Sequence, residues 1–347
     1  MFKKRVLIVL VALAILAPAA MAAPAGVQKV NPPRGSGVVY YLQFDMVNGF
    51  NIGSGQYMEK FGKELGYTMK LLNARGSATE QINQMDAAIS QKPRAIIIKP
   101  VEANTIVAAV NKARAAGIPV LSYDGTITDT TVEFHSVVGT EKIGQMAAEE
   151  TVKILKARRG AEKGKVLQVL GDLGDFYTVF IDKGFRAVMA KYPNITVITK
   201  DTPGWESTTT ANVVSDQLTV NKDIDVIFVH ADSRLPAVIP VLEAKGIKKG
   251  AIELLGTDGD PSALQLIRDG WLKETIGVPM VQQVFGEFAF LDRILAKQKL
   301  ATGQYDIKGV TADLVTEKWG PTLYLPGQII DKTNVDDPSQ WGNIKLK

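Results

Sequence analysis

The sequence predicts an α/β fold made of two similar halves, each a parallel sheet covered by helices. One observation is a repeat: helix, apolar strand, loop, helix, glycine and a strand ending in aspartate fill residues 86–124 and recur in residues 216–258, about 130 positions later. The other is the strands, which are short continuous apolar runs such as 95–98 and 226–229. Such runs are typical of parallel strands buried on both faces. Two such halves predict a cleft between two domains rather than one continuous sheet.

Length and composition agree with this prediction. The chain has 347 residues, of which 46% are apolar and 22% are charged, which is ordinary for a globular protein and sufficient for about two domains. The sequence contains no cysteine. The fold therefore has to be stable without disulfides, and no lipid can be attached to a cysteine side chain.

The first 22 residues have the pattern of a secretory signal peptide. Basic residues at 3–5 precede an apolar run at 6–17 that is short for a membrane span, and small residues at 20–22 permit cleavage after Ala22. An N-terminal membrane anchor is the alternative. Cleavage removes three basic residues and no acidic ones, which lowers the formal net charge from +4 to +1. The basic pI therefore indicates no nucleic-acid or membrane-surface role, and a periplasmic or extracellular protein is expected.

Each element of the first half has its own signal. Gly66 ends the first helix, Asn104 can cap the third, and Gly117 ends that one. Runs rich in β-branched and aromatic residues are the strands. In chain order we predict strand 38–44, helix 53–65, strand 67–72, helix 79–90, strand 95–99, helix 104–117 and strand 118–123.

The second half, which begins near Thr140, repeats this alternation. We predict helix 143–155, strands 165–170, 195–199, 224–229 and 251–255, helix 261–269 and strand 272–278. A further helix at 281–297 has apolar residues at helical spacing and is expected to complete the first domain. Residues after 306 then supply a final strand pair and a surface segment.

These elements predict a division of the chain into four parts. They are a signal peptide (1–22), a leader (23–37), an N-terminal lobe (38–139 plus 279–307) and a C-terminal lobe (140–278 plus 308–347).

The sequence lacks the common catalytic motifs. It has no phosphate-loop pattern, no complete GxGxxG, no GxSxG and no HExxH. Its histidines are His135 and His230, with no cysteine near either, which is a poor basis for a zinc site or a catalytic triad. We expect no enzyme, no cofactor and no metal; a secreted α/β enzyme is the alternative from another functional class.

Polar and aromatic residues follow the predicted strands. Ligands of open α/β sheets bind outside the carboxyl ends of the strands. Carboxylates accept hydrogen bonds from hydroxyl groups, and aromatic rings stack on the apolar face of a sugar, so this mixture suits a neutral polyhydroxyl ligand. The candidate ligand residues are Asp45, Asn48, Phe50, Asp124, Asp175, Trp205, His230, Asp232 and Asp258.

Structural roles are the alternative for these residues. An aspartate at a strand end can cap the next helix, and Phe50 can belong to the core. His230 can contact other residues of the site without contacting the ligand. For Asp124 the loop glycine that follows favours ligand contact. For Asp258 a ligand role is favoured because Asp260 can do the capping.

Several short motifs occur in an order that resembles a known family. They are NGFN at 48–51, LGY at 65–67, KP at 99–100, AAGIPVLSYD at 115–124, the loop with Trp205 and GTDG at 256–259. Over residues 38–342 the chain resembles the periplasmic sugar-binding proteins of the ribose-binding-like group, the solute receptors of ABC importers. Its tail, from DIKG at 306–309 to NVDDPSQWG at 334–342, resembles the branch of rhamnose- and autoinducer-2-type receptors.

The resemblance implies the type I periplasmic binding protein fold, which has two Rossmann-like domains with parallel sheets joined by a three-strand hinge. It implies a monomeric receptor that captures a monosaccharide or polyol and delivers it to a membrane permease of an ABC importer. A chemoreceptor can be a second partner, and no nucleic acid is expected. The implied ligand positions are Asn48, Phe50, Asp124, Trp205, Asp232 and Asp258.

The chain departs from ribose-type members at three places. Gly125 and residues 179–181 stand where those members have arginines, and residues 277–279 replace a glutamine-containing hinge strand, with Gln282 and Gln283 beyond it. Ribose is therefore not expected, and Gln282 joins the candidate ligand residues. Without the two arginines the pocket is rich in acids, so a receptor for a cationic or nucleoside-like ligand is the alternative within the same fold.

Overall fold

The computed structural model describes residues 26–47 and 49–344. The predicted signal peptide (1–22), residues 23–25 of the leader and Asn48 lie outside this described part. No helix of the described residues combines the length and apolar character that a membrane crossing requires.

Strands and helices alternate along most of the chain. The first part contains β1 (Gln28–Lys29), β2 (Val38–Gln43), α1 (Gly49–Glu64), β3 (Thr68–Asn73), α2 (Ala78–Ser90), β4 (Ala95–Ile98), α3 (Val107–Ala115), β5 (Val120–Tyr123) and β6 (Phe134–Val138). The middle part contains α4 (Thr140–Arg159), β7 (Gly164–Val169), α5 (Phe176–Met189), β8 (Ile195–Lys200), α6 (Ser207–Val220), β9 (Val226–Val229), α7 (Leu235–Ala244), β10 (Glu253–Asp258), α8 (Pro261–Asp269) and β11 (Glu274–Gly277). The last part contains α9 (Met280–Ala289), α10 (Leu291–Leu295), β12 (Gly303–Ile307), β13 (Val310–Glu317), β14 (Gly320–Leu325) and β15 (Gln328–Ile330).

The strands form two separate sheets. In the described part of the chain the first has the order β1-β12-β13-β14-β6-β5-β4-β2-β3, and the second has the order β15-β11-β10-β9-β7-β8. The parallel set β3-β2-β4-β5-β6 of the first sheet has the same connectivity as the parallel set β8-β7-β9-β10-β11 of the second. All residues of β4 and β9 are buried, as continuous apolar strands covered on both faces require. The predicted two-half α/β fold is therefore confirmed, with β5 and β10 in equivalent positions.

The chain passes from one sheet to the other three times, after β6, after β11 and after β14. These three passages form the hinge between the sheets. The tail after residue 308 was expected in the C-terminal lobe, but β13 and β14 return it to the first sheet by antiparallel pairing with β12 and parallel pairing with β6. β15 joins the second sheet as an antiparallel edge strand. We propose to draw the lobes by sheet membership, which places residues 310–325 in the N-terminal lobe.

The predicted helix at 281–297 is two helices in the structure. Phe290, with φ −123°, separates α9 from α10. Its buried ring packs against Phe134 and Tyr305, with centroid separations of 5.3 and 5.0 Å. This aromatic cluster anchors the segment in the core of the first lobe and accounts for a break that helical spacing alone does not predict.

Glycines allow the backbones of α4 and α5 to touch in the second lobe. A Cβ added at Gly184 would overlap the carbonyl oxygen of Glu141, and one at Gly144 would overlap that of Ile181. We expect Gly184→Ala to lower the free energy of unfolding by about 2 kcal/mol, because overpacking against backbone cannot relax by a rotamer change. Urea denaturation measures this difference.

Gly49→Ala, at the start of α1, is the matched control. Among the described residues, no heavy atom outside its chain neighbours and its own helix backbone lies within 4 Å of the carbon it adds, so its stability should change by less than about 1 kcal/mol. Equal stabilities for the two variants would contradict the close helix contact.

Candidate functional site

The equivalent strands β5 and β10 lead into Asp124 and end at Asp258. Their φ angles are 57° and 118°, a region that residues with a Cβ rarely adopt and that concentrates at functional sites. The Asp124 carboxylate contributes to the raised pKa of Asp258. The two carboxyl groups are therefore close enough to repel one another across the gap between the sheets.

Asp124 is held by a network in the first lobe. Lys99 Nζ lies 2.7 Å from Asp124 Oδ2 and 2.8 Å from Asn51 Oδ1. Gln283 Nε2 donates to Asp124 Oδ1 at 2.9 Å, and the ammonium of Lys99 lies 4.8 Å from the ring centroid of Phe50. The side chains of the ion pair are only 16% and 15% exposed, so solvent screens the pair weakly and the pair fixes the orientation of Asp124.

Asp258 is held from the second lobe and the tail. Its Oδ1 accepts a hydrogen bond from the Tyr177 hydroxyl at 2.7 Å, and its backbone carbonyl accepts one from Trp341 Nε1 at 2.7 Å. The Trp341 ring meets Phe50 edge-on, with centroids 5.8 Å apart, and thus joins the two lobes. Burial raises the pKa of Asp258 to about 8, and repulsion from neighbouring carboxylates adds to the effect. Asp258 is therefore largely protonated at neutral pH.

Trp205 and Asp175 support each other on the same side of the gap. Trp205 lies in the loop before α6, and its indole N–H donates to Asp175 Oδ2 at 3.1 Å. Asp175 Oδ1 caps α5 by accepting the Tyr177 N–H at 2.9 Å. Burial raises the pKa of Asp175, whereas Lys99 across the gap lowers it. Asp175 thus caps a helix, the structural role considered as the alternative to ligand contact, and it also positions Trp205.

Gly171, just after β7, makes room for the Trp205 ring. A Cβ at this position would overlap the indole. We expect Gly171→Ala to weaken ligand binding by about tenfold, because it displaces an aromatic surface without itself contacting the ligand. Calorimetric titration measures the change.

Gly174→Ala in the same loop is the control. The carbon it adds would meet a carboxylate oxygen of Asp172 at 3.1 Å and no ring. If both variants bind as tightly as the unchanged protein, the position of Trp205 does not matter for binding.

Asp45 braces the first-lobe network. Its Oδ1 accepts hydrogen bonds from Asn51 Nδ2 at 2.7 Å and from the Val47 N–H at 3.1 Å. Asn51 in turn holds Lys99, so Asp45 acts on the site through two intermediates. The predicted neighbour Asn48 lies outside the described residues.

His230 and Asp232 lie beneath the site. Both are 0% exposed, so neither offers a surface to a ligand in this arrangement of the lobes, and their ligand contact stays a prediction. Asp232 accepts hydrogen bonds from Thr275 Oγ1 and from the Gly259 N–H at 2.7–2.9 Å, which braces the loop after β10. His230 Nε2 lies 3.1 Å from Gln168 Nε2, and burial lowers the pKa of His230 to about 3, so its ring is neutral.

Gln283, rather than the predicted Gln282, reaches Asp124. Neighbouring residues on a helix point about 100° apart, and Gln282 faces a separate cavity at the hinge. Ligand contact by Gln282 stays a prediction, and the sequence alone does not fix the rotation of α9 that directs Gln283 to Asp124.

The ligand residues predicted from the sequence do not include five residues of the site. They are Asn51, Lys99, Tyr177, Gln283 and Trp341. Three of them lie in the motifs quoted above, and Lys99 follows β4 directly, so its strand-end position marks it in the sequence, although it was not chosen as a ligand residue. In the described part of the chain, no group of three or more histidine, aspartate or glutamate side chains is arranged to hold a metal ion.

Comparisons with known proteins agree with this architecture. The model of the periplasmic binding protein domain matches residues 39–299. The chain is 27% identical over 198 residues to a D-apiose import binding protein of Actinobacillus succinogenes (57% of this chain, 62% of the relative) and 26% identical over 214 residues to a xylitol-binding protein of Mycolicibacterium smegmatis (61% and 59%). These matches span about three fifths of the two relatives. An ABC transporter solute-binding protein of Mycobacterium smegmatis, solved with bound glycerol, has a TM-score of 0.74 at 17% identity and covers 90% of this chain and 100% of its own. The chain therefore belongs to the periplasmic binding protein domain family and has its type I two-lobed fold.

Proposed function

We propose that the chain is an extracytoplasmic solute-binding protein that captures a neutral monosaccharide or polyol between its lobes and delivers it to the permease of an ABC importer. The observation that supports the proposal is the position of Asp124 and Asp258 at the ends of equivalent strands of the two sheets, near enough for the Asp124 carboxylate to raise the pKa of Asp258. Phe50 and Trp205 lie beside them on opposite lobes. A sugar offers hydroxyl groups to the carboxyl groups and an apolar face to the rings.

The charge of the site favours a neutral ligand over a cationic one. The acid-rich pocket expected from the sequence contains its own cation, because Lys99 pairs with Asp124 at 2.7 Å. Burial keeps Asp258 largely protonated at neutral pH. A cationic ligand would have to compete with the Lys99 ammonium, so the cationic or nucleoside-like alternative has less support.

Closure of the lobes provides the capture step. A ligand that contacts both lobes stabilises the closed arrangement by its higher affinity for that state, and the three passages between the sheets act as the hinge. This role needs no chemical reaction. The curated relatives above carry names of binding proteins, which supports a receptor rather than a secreted enzyme.

Membership of the periplasmic binding protein domain family and the signal-peptide pattern of residues 1–22 together support export from the cytoplasm. Removal of residues 1–22 by cleavage after Ala22 would leave the mature chain in the periplasm or outside the cell. The relatives named for D-apiose import and for xylitol support the ligand class and a permease partner. We further propose a monomer, with a chemoreceptor as a second partner. The likeness of the tail to rhamnose- and autoinducer-2-type receptors stays a prediction.

Calorimetric titration of the mature chain tests this function. The probes are D-apiose, xylitol, D-ribose, L-rhamnose and myo-inositol, each at low and at high salt. We expect at least one neutral probe to bind with an affinity that changes little with salt, because screening acts on charge pairs. Absence of binding for every probe, or binding of cationic ligands alone with steep salt dependence, would contradict the proposal.

A further inference from the structure

The tail that follows β15, residues 331–344, is fastened to the second lobe. Arg268 of α8 donates from Nε to Asp336 Oδ1 at 2.8 Å. Its Nη2 donates to Asn343 Oδ1 at 2.6 Å and to the Val335 carbonyl at 3.2 Å, a forked contact that suits a planar guanidinium. The Val335 side chain is buried in the apolar core of the second lobe. These contacts tie the tail to that lobe.

Trp341 in this tail reaches the first lobe. Its indole N–H donates to the Asp258 carbonyl of the second lobe at 2.7 Å. Its ring is 3% exposed, packs in the apolar core of the first lobe and meets Phe50 edge-on, with centroids 5.8 Å apart. Phe50 in turn packs against the apolar cores of both lobes. The tail therefore connects the lobes through side chains, in addition to the three passages of the backbone.

The contact between Phe50 and Trp341 affects the balance between arrangements of the lobes. A favourable aromatic pair changes an equilibrium by about two- to tenfold. All groups of this contact belong to the chain, so it acts before a ligand arrives. The contact is made in the arrangement that brings Asp124 and Asp258 near one another, and it therefore stabilises that arrangement against wider opening.

We propose that residues 331–344 form a strap that limits how far the lobes open, with Arg268 as the positioning residue that holds Trp341 against Phe50. Loss of the strap lets the lobes separate further. A smaller fraction of the molecules then has the two strand-end aspartates in place for a ligand, and the apparent affinity falls by that fraction. The effect on affinity rests on the proposed function, whereas the effect on lobe separation does not.

The separation of the lobes can be measured with spin labels, because the sequence contains no cysteine. The equivalent helices α2 and α6 follow the edge strands β3 and β8, which lie farthest from the hinge in each sheet. Ala87→Cys on α2 and Asn212→Cys on α6 replace exposed residues and place one label in each lobe of the mature chain. Double electron–electron resonance without added ligand then gives the distribution of distances between the lobes.

We expect Trp341→Leu and Arg268→Met each to extend this distribution towards longer distances. The double variant should match Trp341→Leu alone, because Arg268 acts through Trp341. Calorimetry with the best probe of the sugar panel gives a second readout, in which each single variant should bind about fivefold more weakly.

Arg186→Met is the matched control. Arg186 is an exposed arginine of the same lobe, and its guanidinium pairs with Asp182 within α5. Its replacement should leave the distances unchanged and the affinity within about twofold. Thermal melting checks that all variants fold. The Arg268 side chain is 33% exposed, so Arg268→Met carries the test if Trp341→Leu does not fold.

Three results would overturn the strap. They are unchanged distances in folded Arg268→Met, equal distances in Arg268→Met and Arg186→Met, and a double variant that opens further than Trp341→Leu alone. Longer distances in Arg268→Met together with absence of binding for every sugar probe would support the strap and contradict the proposed function. The failure of one proposal can therefore be distinguished from the failure of the other.

Discussion

Replacing Asp124 by asparagine is expected to weaken binding of the preferred sugar or polyol by about 100-fold. Asparagine has nearly the same shape and tolerates the left-handed backbone that Asp124 adopts at φ 57°, so the fold should survive. The change removes the negative charge that strengthens hydrogen bonds to ligand hydroxyls, each worth about 1.5–3 kcal/mol. A 100-fold loss corresponds to about 2.7 kcal/mol.

Loss of the charge also leaves Lys99 without its counter-ion. Lys99 Nζ lies 2.7 Å from Asp124 Oδ2 at low exposure, so an unpaired ammonium would remain in the site and disturb the orientation of Asn51 and Phe50. The lost carboxylate charge and the unpaired Lys99 ammonium both weaken ligand binding. Calorimetry with the best ligand of the panel measures the affinity.

Asp129→Asn is the matched control for this substitution. Asp129 is exposed in the same loop, so removal of its charge should leave the affinity within about twofold. Urea denaturation of both variants checks the fold. If Asp124→Asn binds within about threefold of the unchanged protein, Asp124 does not contact the ligand, and the site must be sought elsewhere in the cleft.

The repeat in the sequence predicted the two-lobed fold because each repeat is a unit of local signals. Continuous apolar runs such as β4 and β9 require two covered faces, and glycines such as Gly117 end the helices between them. The same repeat paired Asp124 with Asp258. Position along a strand is therefore a reliable predictor of which residues reach the sheet edge.

The position of a residue at the end of a strand does not predict how deeply its side chain is buried. Asp232 follows β9 as Asp258 ends β10, yet its carboxylate turns inward to Thr275 and to the Gly259 N–H. This orientation depends on Thr275 on β11 and on the loop after β10, and the sequence around Asp232 carries no information on either. His230 is buried for the same reason: Gln168 on the neighbouring strand β7 lies against its ring.

The tail was misplaced because its strands follow another pattern. In β13 the buried Ala312 and Leu314 alternate with more exposed residues, which is the period of a strand with one solvated face. That pattern indicates antiparallel pairing but does not say with which sheet. The parallel pairing of β14 with β6 is a long-range contact, and only the assembled lobe determines it.

Replacing Asp258 by asparagine is expected to remove a pH-dependent loss of stability. Burial raises the pKa of Asp258 from 3.8 to about 8, so between about pH 4 and pH 8 the folded state keeps a proton that the unfolded state releases. The free energy of unfolding must therefore fall as pH rises through this window. Asparagine imitates the protonated acid in shape and retains an oxygen for the Tyr177 hydroxyl, but it does not titrate.

The stability difference between Asp258→Asn and the unchanged protein should therefore be small near pH 4.5 and grow by about 2 kcal/mol towards pH 8. We expect less than the full linkage value, because the residue is partly exposed. Urea denaturation at pH 4.5, 6 and 8 measures it. Other groups contribute to the absolute profile: burial raises the pKa of Glu274 to about 7 and lowers that of His135 to about 4. Comparison of variants at each pH cancels these contributions.

Glu274→Gln is the control, because it removes the titration of a different buried carboxyl group, on the neighbouring strand β11. Its stability gain should be complete by about pH 7, whereas the gain of Asp258→Asn should continue to rise to about pH 8. A pH-independent difference for Asp258→Asn would mean that Asp258 is ionised at neutral pH. The cleft would then carry more negative charge than Lys99 balances, and the argument for a neutral ligand would lose one of its two supports.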